Sequence, residues 1–279
     1  MRKRLLAALI LLAAAPAGFA QTKTQVIAHR GGARESTENT IEAFQRAVRI
    51  GAAGIETDIR LTKDGEVVIY HDDTVGRVEN GFSSQKGPLV SDLTYAELIS
   101  KTFKPVGDDS GGRHAPKFKD LLDRVPTVML NVEMKRCERF DELVEKTIAI
   151  LKGHPAFDRV ILEPPDVPTA KKLRAALGDK LKLHINPEND KTLPFDESLK
   201  SLLAFKPHSL SISYKKVNWE IMDAAHKAGV QVWVWTVNSE EIAEAAAWMG
   251  ADAIKTDRPA WMLDLFKQSS AAGTAGARK

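Results

Sequence analysis

Ile55-Glu56-Thr57-Asp58-Ile59-Arg60, a Lys63-Asp64-Gly65-Glu66 turn and Val67-Val68-Ile69-Tyr70-His71-Asp72 follow one another in the chain. Two apolar runs joined by Asp-Gly read as an antiparallel hairpin, because that dipeptide suits a two-residue type I′ turn. With Asp64 and Gly65 as the central turn residues, Asp58 lies opposite His71 and Glu56 opposite Asp73. Directly opposite residues share a face of the sheet, and so do residues two apart on one strand. Glu56, Asp58 and His71 therefore converge on this reading. A turn shifted by one residue would put His71 on the other face.

Around this hairpin the chain alternates strands and helices. Short β-branched apolar runs mark strands at Gln25–His29, Gly54–Ile59, Val128–Met134, Val160–Leu162, Leu181–Ile185, Leu210–Ser213, Gln231–Val237 and Ala253–Lys255. Helical periodicity falls at Thr40–Ile50, Asp141–Leu151, Val167–Leu177, Asp196–Ala204, Trp219–Ala228, Ser239–Trp248 and Pro259–Phe266. Two further helices, near Thr94–Ser100 and Lys117–Arg124, fall in the connector Asp73–Pro126. This rhythm implies a parallel sheet with right-handed crossovers. With the segment around Asp64 set aside, eight strands favour a closed α/β (β/α)8 TIM barrel with a short hairpin excursion after the second strand. An open doubly wound sheet is the alternative. The connector is short for an inserted domain, which predicts an open site for a small substrate.

The ends of the chain read differently from its middle. Arg2-Lys3-Arg4, the apolar run Leu5 to Ala15 and the small residues of Gly18-Phe19-Ala20 form a signal peptide, residues 1–20, with cleavage after Ala20. The apolar run is too short for a comfortable transmembrane span, so no stable membrane anchor is expected after cleavage. The leader removes three basic residues and no acidic ones, which brings the 40 Lys and Arg level with the 37 Asp and Glu. The basic balance of the whole chain is therefore no argument for nucleic-acid binding. Residues 21–268 form the single barrel domain, and the Ala/Gly/Ser-rich residues 269–279 read as a flexible tail. Cys137 is the only cysteine, so no intrachain disulfide forms.

Polar residues gather at apolar strand ends, where α/β proteins place active sites. His29-Arg30-Gly31-Gly32 ends the first strand. Arg30 offers a planar fork for phosphate oxygens, and histidine moves protons near neutral pH. Glu133, in Asn131-Val132-Glu133-Met134-Lys135, is a carboxylate in an apolar strand and needs a partner. With Glu56 and Asp58 it would suit a hard divalent cation, Mg²⁺ or Ca²⁺. A salt bridge from Glu133 to Lys135 or an arginine is the competing reading. Two histidines, Arg, Lys and three carboxylates suit phosphodiester hydrolysis. The chain has no Gly-x-Ser-x-Gly elbow, Walker loop or dinucleotide-binding loop, and His114, His154, His184, His208 and His226 lack zinc spacing.

These motifs, with Glu38-Asn39-Thr40, Trp235-Thr236-Val237-Asn238 and Thr256-Asp257-Arg258-Pro259, occur in order over nearly the whole chain after the leader. In this the sequence resembles the glycerophosphodiester phosphodiesterase family. The resemblance implies a (β/α)8 barrel related to phosphatidylinositol phospholipase C. It implies metal-dependent hydrolysis of small glycerophosphodiesters, such as glycerophosphocholine or glycerophosphoethanolamine, to glycerol 3-phosphate and an alcohol. It also assigns roles: Glu56, Asp58 and Glu133 to Mg²⁺ or Ca²⁺, His29 and His71 to acid–base catalysis, Arg30 and Lys135 to the phosphate, and Trp235 to a wall of the glycerol site. Trp233 and Trp235 point the same way along one strand, and core packing is the bland reading of both. The family usually has proline before Glu-Asn-Thr, where this chain has Thr37.

Glu163 and His184 also end strands, and Tyr214 follows one. Facing the mouth, Glu163 and His184 would make a polar leaving-group pocket suited to a cationic alcohol; salt bridges on the rim are the equal alternative. A lysophospholipase D-like enzyme and a non-catalytic phosphodiester-binding barrel are the other functional readings. The leader predicts export to the periplasm or the medium. Oligomeric state has no sequence signal.

Overall fold

The computed structural model describes residues 24–81, 87–107, 114–189 and 194–276. The expected leader, residues 1–20, and its expected cleavage site fall outside them. Strand β1 (Gln25–His29) leads into helix α1 (Ile41–Arg49) and strand β2 (Gly54–Leu61), and β3 (Val67–Ile69) folds back on β2. Helices α2 (Tyr95–Ile99) and α3 (Phe118–Arg124) precede β4 (Met129–Met134). The alternation then runs α4 (Phe140–Leu151), β5 (Val160–Glu163), α5 (Val167–Leu177), β6 (Lys182–Ile185), α6 (Phe195–Phe205) and β7 (Ser209–Ser213). It ends with α7 (Trp219–Lys227), β8 (Gln231–Trp235), α8 (Glu240–Trp248), β9 (Ala253–Thr256) and α9 (Pro259–Gly276).

All strands but β3 are parallel to their neighbours, in the order β1-β9-β8-β7-β6-β5-β4-β2, and β1 pairs with β2 to close the ring. The fold is a (β/α)8 barrel. Sequence dictates which face of each strand is which. Leu130, Val132 and Met134 of β4 pack outward in the main core with Phe44, Leu121, Leu143 and Val144 of the helices. Ile27, Ile161, Trp233 and Ala253 point inward and plug the lumen, with Met129 beside them.

The hairpin corrects one expectation. Observed partners are Ile59 with Ile69, Arg60 with Val68 and Leu61 with Val67, one residue out of the predicted register. The loop has three residues, Lys63-Asp64-Gly65, because Thr62 N–H donates to the Glu66 carbonyl (3.0 Å) and Gly65 N–H to the Thr62 carbonyl (3.0 Å). A type I′ turn needs positive φ at both central residues. Only Gly65 has it, at +81°, while the Asp64 carboxylate is engaged by Thr62 Oγ1 (2.6 Å) and Tyr95 N–H (2.9 Å). Asp58 thus faces Tyr70, not His71, and Tyr70 N–H donates to the Asp58 carbonyl at 3.0 Å. Tyr70 joins a satellite core of Val68, Val75, Val78, Val90, Leu98, Phe103 and Ala115, which the connector builds over the hairpin.

Strand β1 stops at His29, opposite Glu56, so β2 overshoots it, and β3 covers the exposed edge of the overshoot. Local chemistry sets the helix starts. The Thr40 hydroxyl accepts from Ala43 N–H and caps α1, and Asp166 caps α5 through Thr169 N–H. At the other end, α9 runs to Gly276, into the segment read as a tail.

Candidate active site

The parallel register does what the hairpin was expected to do. It sets His29 beside Glu56, and Asp58 beside Glu133, on adjoining strands. Carboxylate oxygens of Glu56, Asp58 and Glu133 lie within 4.8 Å of one another at the strand ends. Lys135 reaches back from the end of β4, its Nζ 2.9 Å from Asp58 Oδ1 and 2.7 Å from Glu133 Oε1. The salt bridge that competed with a metal for Glu133 is present, but one ammonium serves two carboxylates of the three. Burial would raise the Asp58 pKa, yet Lys135, His71 and Arg30 hold it far below the usual carboxylate range. Glu133 goes the other way. Burial, with Glu163, Asp58 and Glu56 nearby, pushes it up to about 7 against the pull of Lys135. Crowded carboxylates short of positive charge fit a divalent cation, and an all-oxygen donor set suits a hard one. These residues could hold such an ion.

The glycine-rich turn after β1 carries Arg30 in the left-handed region at φ +52°. Its backbone N–H donates to Glu56 Oε2 (3.0 Å), while its guanidinium lies 3.2 Å from Glu38 Oε1 and 3.8 Å from Asp58 Oδ2. Asn39, also left-handed at φ +56°, donates to Asp58 Oδ2 at 3.1 Å and accepts from Thr57 Oγ1 at 2.9 Å. The Glu38-Asn39-Thr40 motif thus holds the arginine, orients a carboxylate and caps a helix.

Both histidines reach the same cavity. His29 Nδ1 bonds Asp257 Oδ1 at 2.5 Å, and its Nε2 lies 3.8 Å from Glu56 Oε2. Burial disfavours the charged ring, but Glu56 and Asp257 outweigh it and raise the His29 pKa. His71 arrives by a different route from the predicted one. Strand β3 ends at Ile69, and the chain leaves the ladder. The Arg60 guanidinium then holds the His71 carbonyl (3.0 and 2.7 Å), and Asp72 Oδ1 takes His71 Nδ1 at 2.7 Å. Arg77, which sequence reasoning missed, bonds Asp72 Oδ2 (2.5 Å) and both oxygens of Glu38 (2.5 and 3.0 Å). It ties the segment that carries His71 to the one that carries Arg30. Nothing in its local sequence marks it, since Glu38, the partner that gives it this role, lies 39 positions away.

The cavity has a volume of about 280 Å³. His29, Arg30, Glu56, His71, Glu133 and Lys135 line one half, and Trp235, Glu163, Asn186, Asn189, Ser211 and Lys255 line the other. A larger cleft of about 440 Å³ between α6 and α7 is lined by apolar side chains such as Phe195, Leu199 and Ile221 and by the exposed charges Asp196, Lys216 and Glu220, with no histidine. The two tryptophans part company. Trp233 is in the plug with its indole N–H on Gln231 (3.0 Å), whereas Trp235 lines the cavity and its indole nitrogen is buried without a partner among the described residues. Glu163 and His184 are buried inside the barrel rather than on its rim. The charge of Glu163 is matched by Lys255 at 2.8 Å, which leaves no free anion for a cationic alcohol. Tyr214 packs against the main core.

Fold and site together describe a phosphodiesterase barrel. Residues 29–261 match the glycerophosphoryl diester phosphodiesterase family, and the chain belongs to it. It is 31% identical to a glycerophosphodiester phosphodiesterase of Caldanaerobacter subterraneus, over 88% of this chain and 99% of that one. It is 27% identical to a human lysophospholipase D, over 88% of this chain and 87% of that one. Among solved structures it resembles an Oleispira antarctica phosphodiesterase in complex with the product sn-glycerol-3-phosphate, with TM-score 0.71, 25% identity and coverage of 87% and 96%.

Proposed function

We propose that the protein hydrolyses glycerophosphodiesters, such as glycerophosphocholine or glycerophosphoethanolamine, to glycerol 3-phosphate and an alcohol. The observation that carries this reading is the convergence of His29 and His71 on the cavity that holds Glu56, Asp58 and Glu133. Those three carboxylates would hold one Mg²⁺ or Ca²⁺. The ion, when bound, would neutralise phosphate charge.

The chain's own groups supply the rest. Arg30 and Lys135 contact the phosphate oxygens, and Trp235 walls the glycerol site. His29 and His71 each commit Nδ1 to a carboxylate, Asp257 and Asp72, which fixes the tautomer and leaves Nε2 to exchange protons. One imidazole takes a proton from the attacking water as its oxygen bonds to phosphorus, and the other delivers a proton to the alkoxide that departs as the P–O bond to the alcohol breaks. A cleaved leader at residues 1–20 would put this chemistry in the periplasm or the medium, and N-terminal sequencing of the mature chain should then begin at Gln21.

The test is a substrate panel with added Mg²⁺ or Ca²⁺ and a chelator control, on the wild type and on His29→Ala and His71→Ala. Each substitution should slow release of glycerol 3-phosphate by about a hundredfold or more with the circular dichroism spectrum intact. Full activity in both variants would remove the acid–base assignment, and chelator-insensitive turnover would remove the metal.

A further inference from the structure

The cavity wall built by β5 to β9, which meets the carboxylate cluster where Glu163 lies beside Glu133, contains charges for which the reaction gives no reason. Lys255 on β9 reaches across the lumen to Glu163 on β5, the diametrically opposite strand, with Nζ–Oε2 2.8 Å. Its Nζ also lies 3.4 Å from Ser211 Oγ on β7. Each of these residues is at most 3% exposed, yet all three line the cavity. His184 on β6 stands 3.8 Å from the same Glu163 oxygen, with Nδ1 on Ser209 Oγ (2.7 Å) and Nε2 buried without a partner among the described residues. Asn131 on β4 is fully buried, and both of its amide atoms lack partners among the described residues. Directly beneath lies the apolar plug of Ile27, Ile161, Trp233 and Ala253. A buried ion pair adds little stability over well-packed apolar residues. A lumen that needed only filling could have carried the plug one step higher.

The charges here are also balanced. Glu163 is matched one for one by Lys255, the ammonium 2.8 Å from its carboxylate. A neutral floor offers nothing to a cationic headgroup. It does offer both polarities of hydrogen bond at close quarters. An ammonium has three donors, and two of those of Lys255 are directed at Glu163 and Ser211. A carboxylate has about four acceptor sites.

We propose that Glu163, Lys255 and Ser211, with Asn186 and Asn189 on the wall above, form a hydroxyl-recognising floor that admits the unacylated glyceryl arm of the diester and rejects an acyl chain. A vicinal diol both donates and accepts, and so matches such a floor. A methylene chain would strip solvent from the ion pair and return nothing. This rests on the phosphodiesterase reading and sharpens it, because it separates a deacylated substrate from a lysophospholipid.

Two measurements test it on the full-length mature protein loaded with Mg²⁺ or Ca²⁺. In isothermal titration calorimetry the wild type should bind sn-glycerol 3-phosphate about tenfold more tightly than inorganic phosphate, and the paired Glu163→Gln, Lys255→Met variant should lose that preference. The paired change leaves no lone buried charge, and circular dichroism and melting temperature check its fold. In turnover, the wild type should favour glycerophosphocholine over lysophosphatidylcholine by about a hundredfold in kcat/KM, and the paired variant should narrow the gap mainly through KM.

Equal affinity of the wild type for glycerol 3-phosphate and phosphate overturns the floor, as does comparable turnover of lysophosphatidylcholine. So does a loss of metal affinity in Glu163→Gln as large as in Glu133→Gln, which would make Glu163 a metal ligand. If the glycerol 3-phosphate preference holds but no phosphodiester is cleaved, the proposed function falls and the floor stands.

Discussion

His184 shows how far a side chain can sit from its solution chemistry. Burial, and the Lys255 ammonium beside it, push its pKa well below 6.5. The folded protein therefore refuses a proton that the unfolded chain accepts below about pH 6.5. The unfolded state binds more protons there, so stability falls as pH drops below that value, by about 1.4 kcal/mol per pH unit for this one group. Urea unfolding at stepped pH should show that slope, and His184→Phe should remove this one-proton component. A slope unchanged in the variant would assign it to other groups. His29, Glu56, Asp58, Glu133 and Lys135 could be read from sequence because each is a polar residue at the end of an apolar strand. Glu163 and Lys255 could not be read as a pair. They are 92 positions apart, and only closure of the ring brings them together.

At the level of elements, strand positions followed directly from periodicity, while the hairpin register did not. Asp-Gly pointed to the two-residue turn, but Thr62 and Tyr95 engaged the Asp64 side chain and drew one more residue into the loop. The one-residue slip moved His71 off the Asp58 face, and the loop after β3, not the ladder, returned it to the cavity. The β1–α1 turn makes a firmer prediction. Gly31 has φ +82°, and a Cβ there would stand 2.9 Å from Ala43 Cβ and 3.0 Å from Phe44 Cδ1. Gly31→Ala should therefore destabilise the protein by about 2 kcal/mol in urea unfolding. It should also lower activity, because the strained turn sets the position of Arg30. A variant as stable as wild type would mean that the turn relaxes freely.

For the molecule as a whole, the strand–helix alternation was enough to give the barrel, and its closure confirms the eight-strand reading over an open sheet. The site drew on more distant terms, since Glu133 enters only when β4 docks beside β2. A cation held by Glu56, Asp58 and Glu133 would staple those two strands and bind only the folded state. Mg²⁺ or Ca²⁺ at about a hundred times its dissociation constant should then add about 2.7 kcal/mol of stability. Differential scanning calorimetry should show the gain, chelator should reverse it, and Glu133→Gln should lose most of it. A melting temperature indifferent to both ions would argue against the cluster as a metal site.

The ion pair that spans the lumen bears on the order in which the ring is assembled. Strand β9 is the last to leave the ribosome, and it alone brings the lysine. Until it slots between β8 and β1, Glu163 faces an unfinished barrel with no cation opposite it. Loss of β9 would therefore leave a buried carboxylate without its cation as well as opening the ring, so the pair makes detachment of that strand costlier than its ladder hydrogen bonds alone.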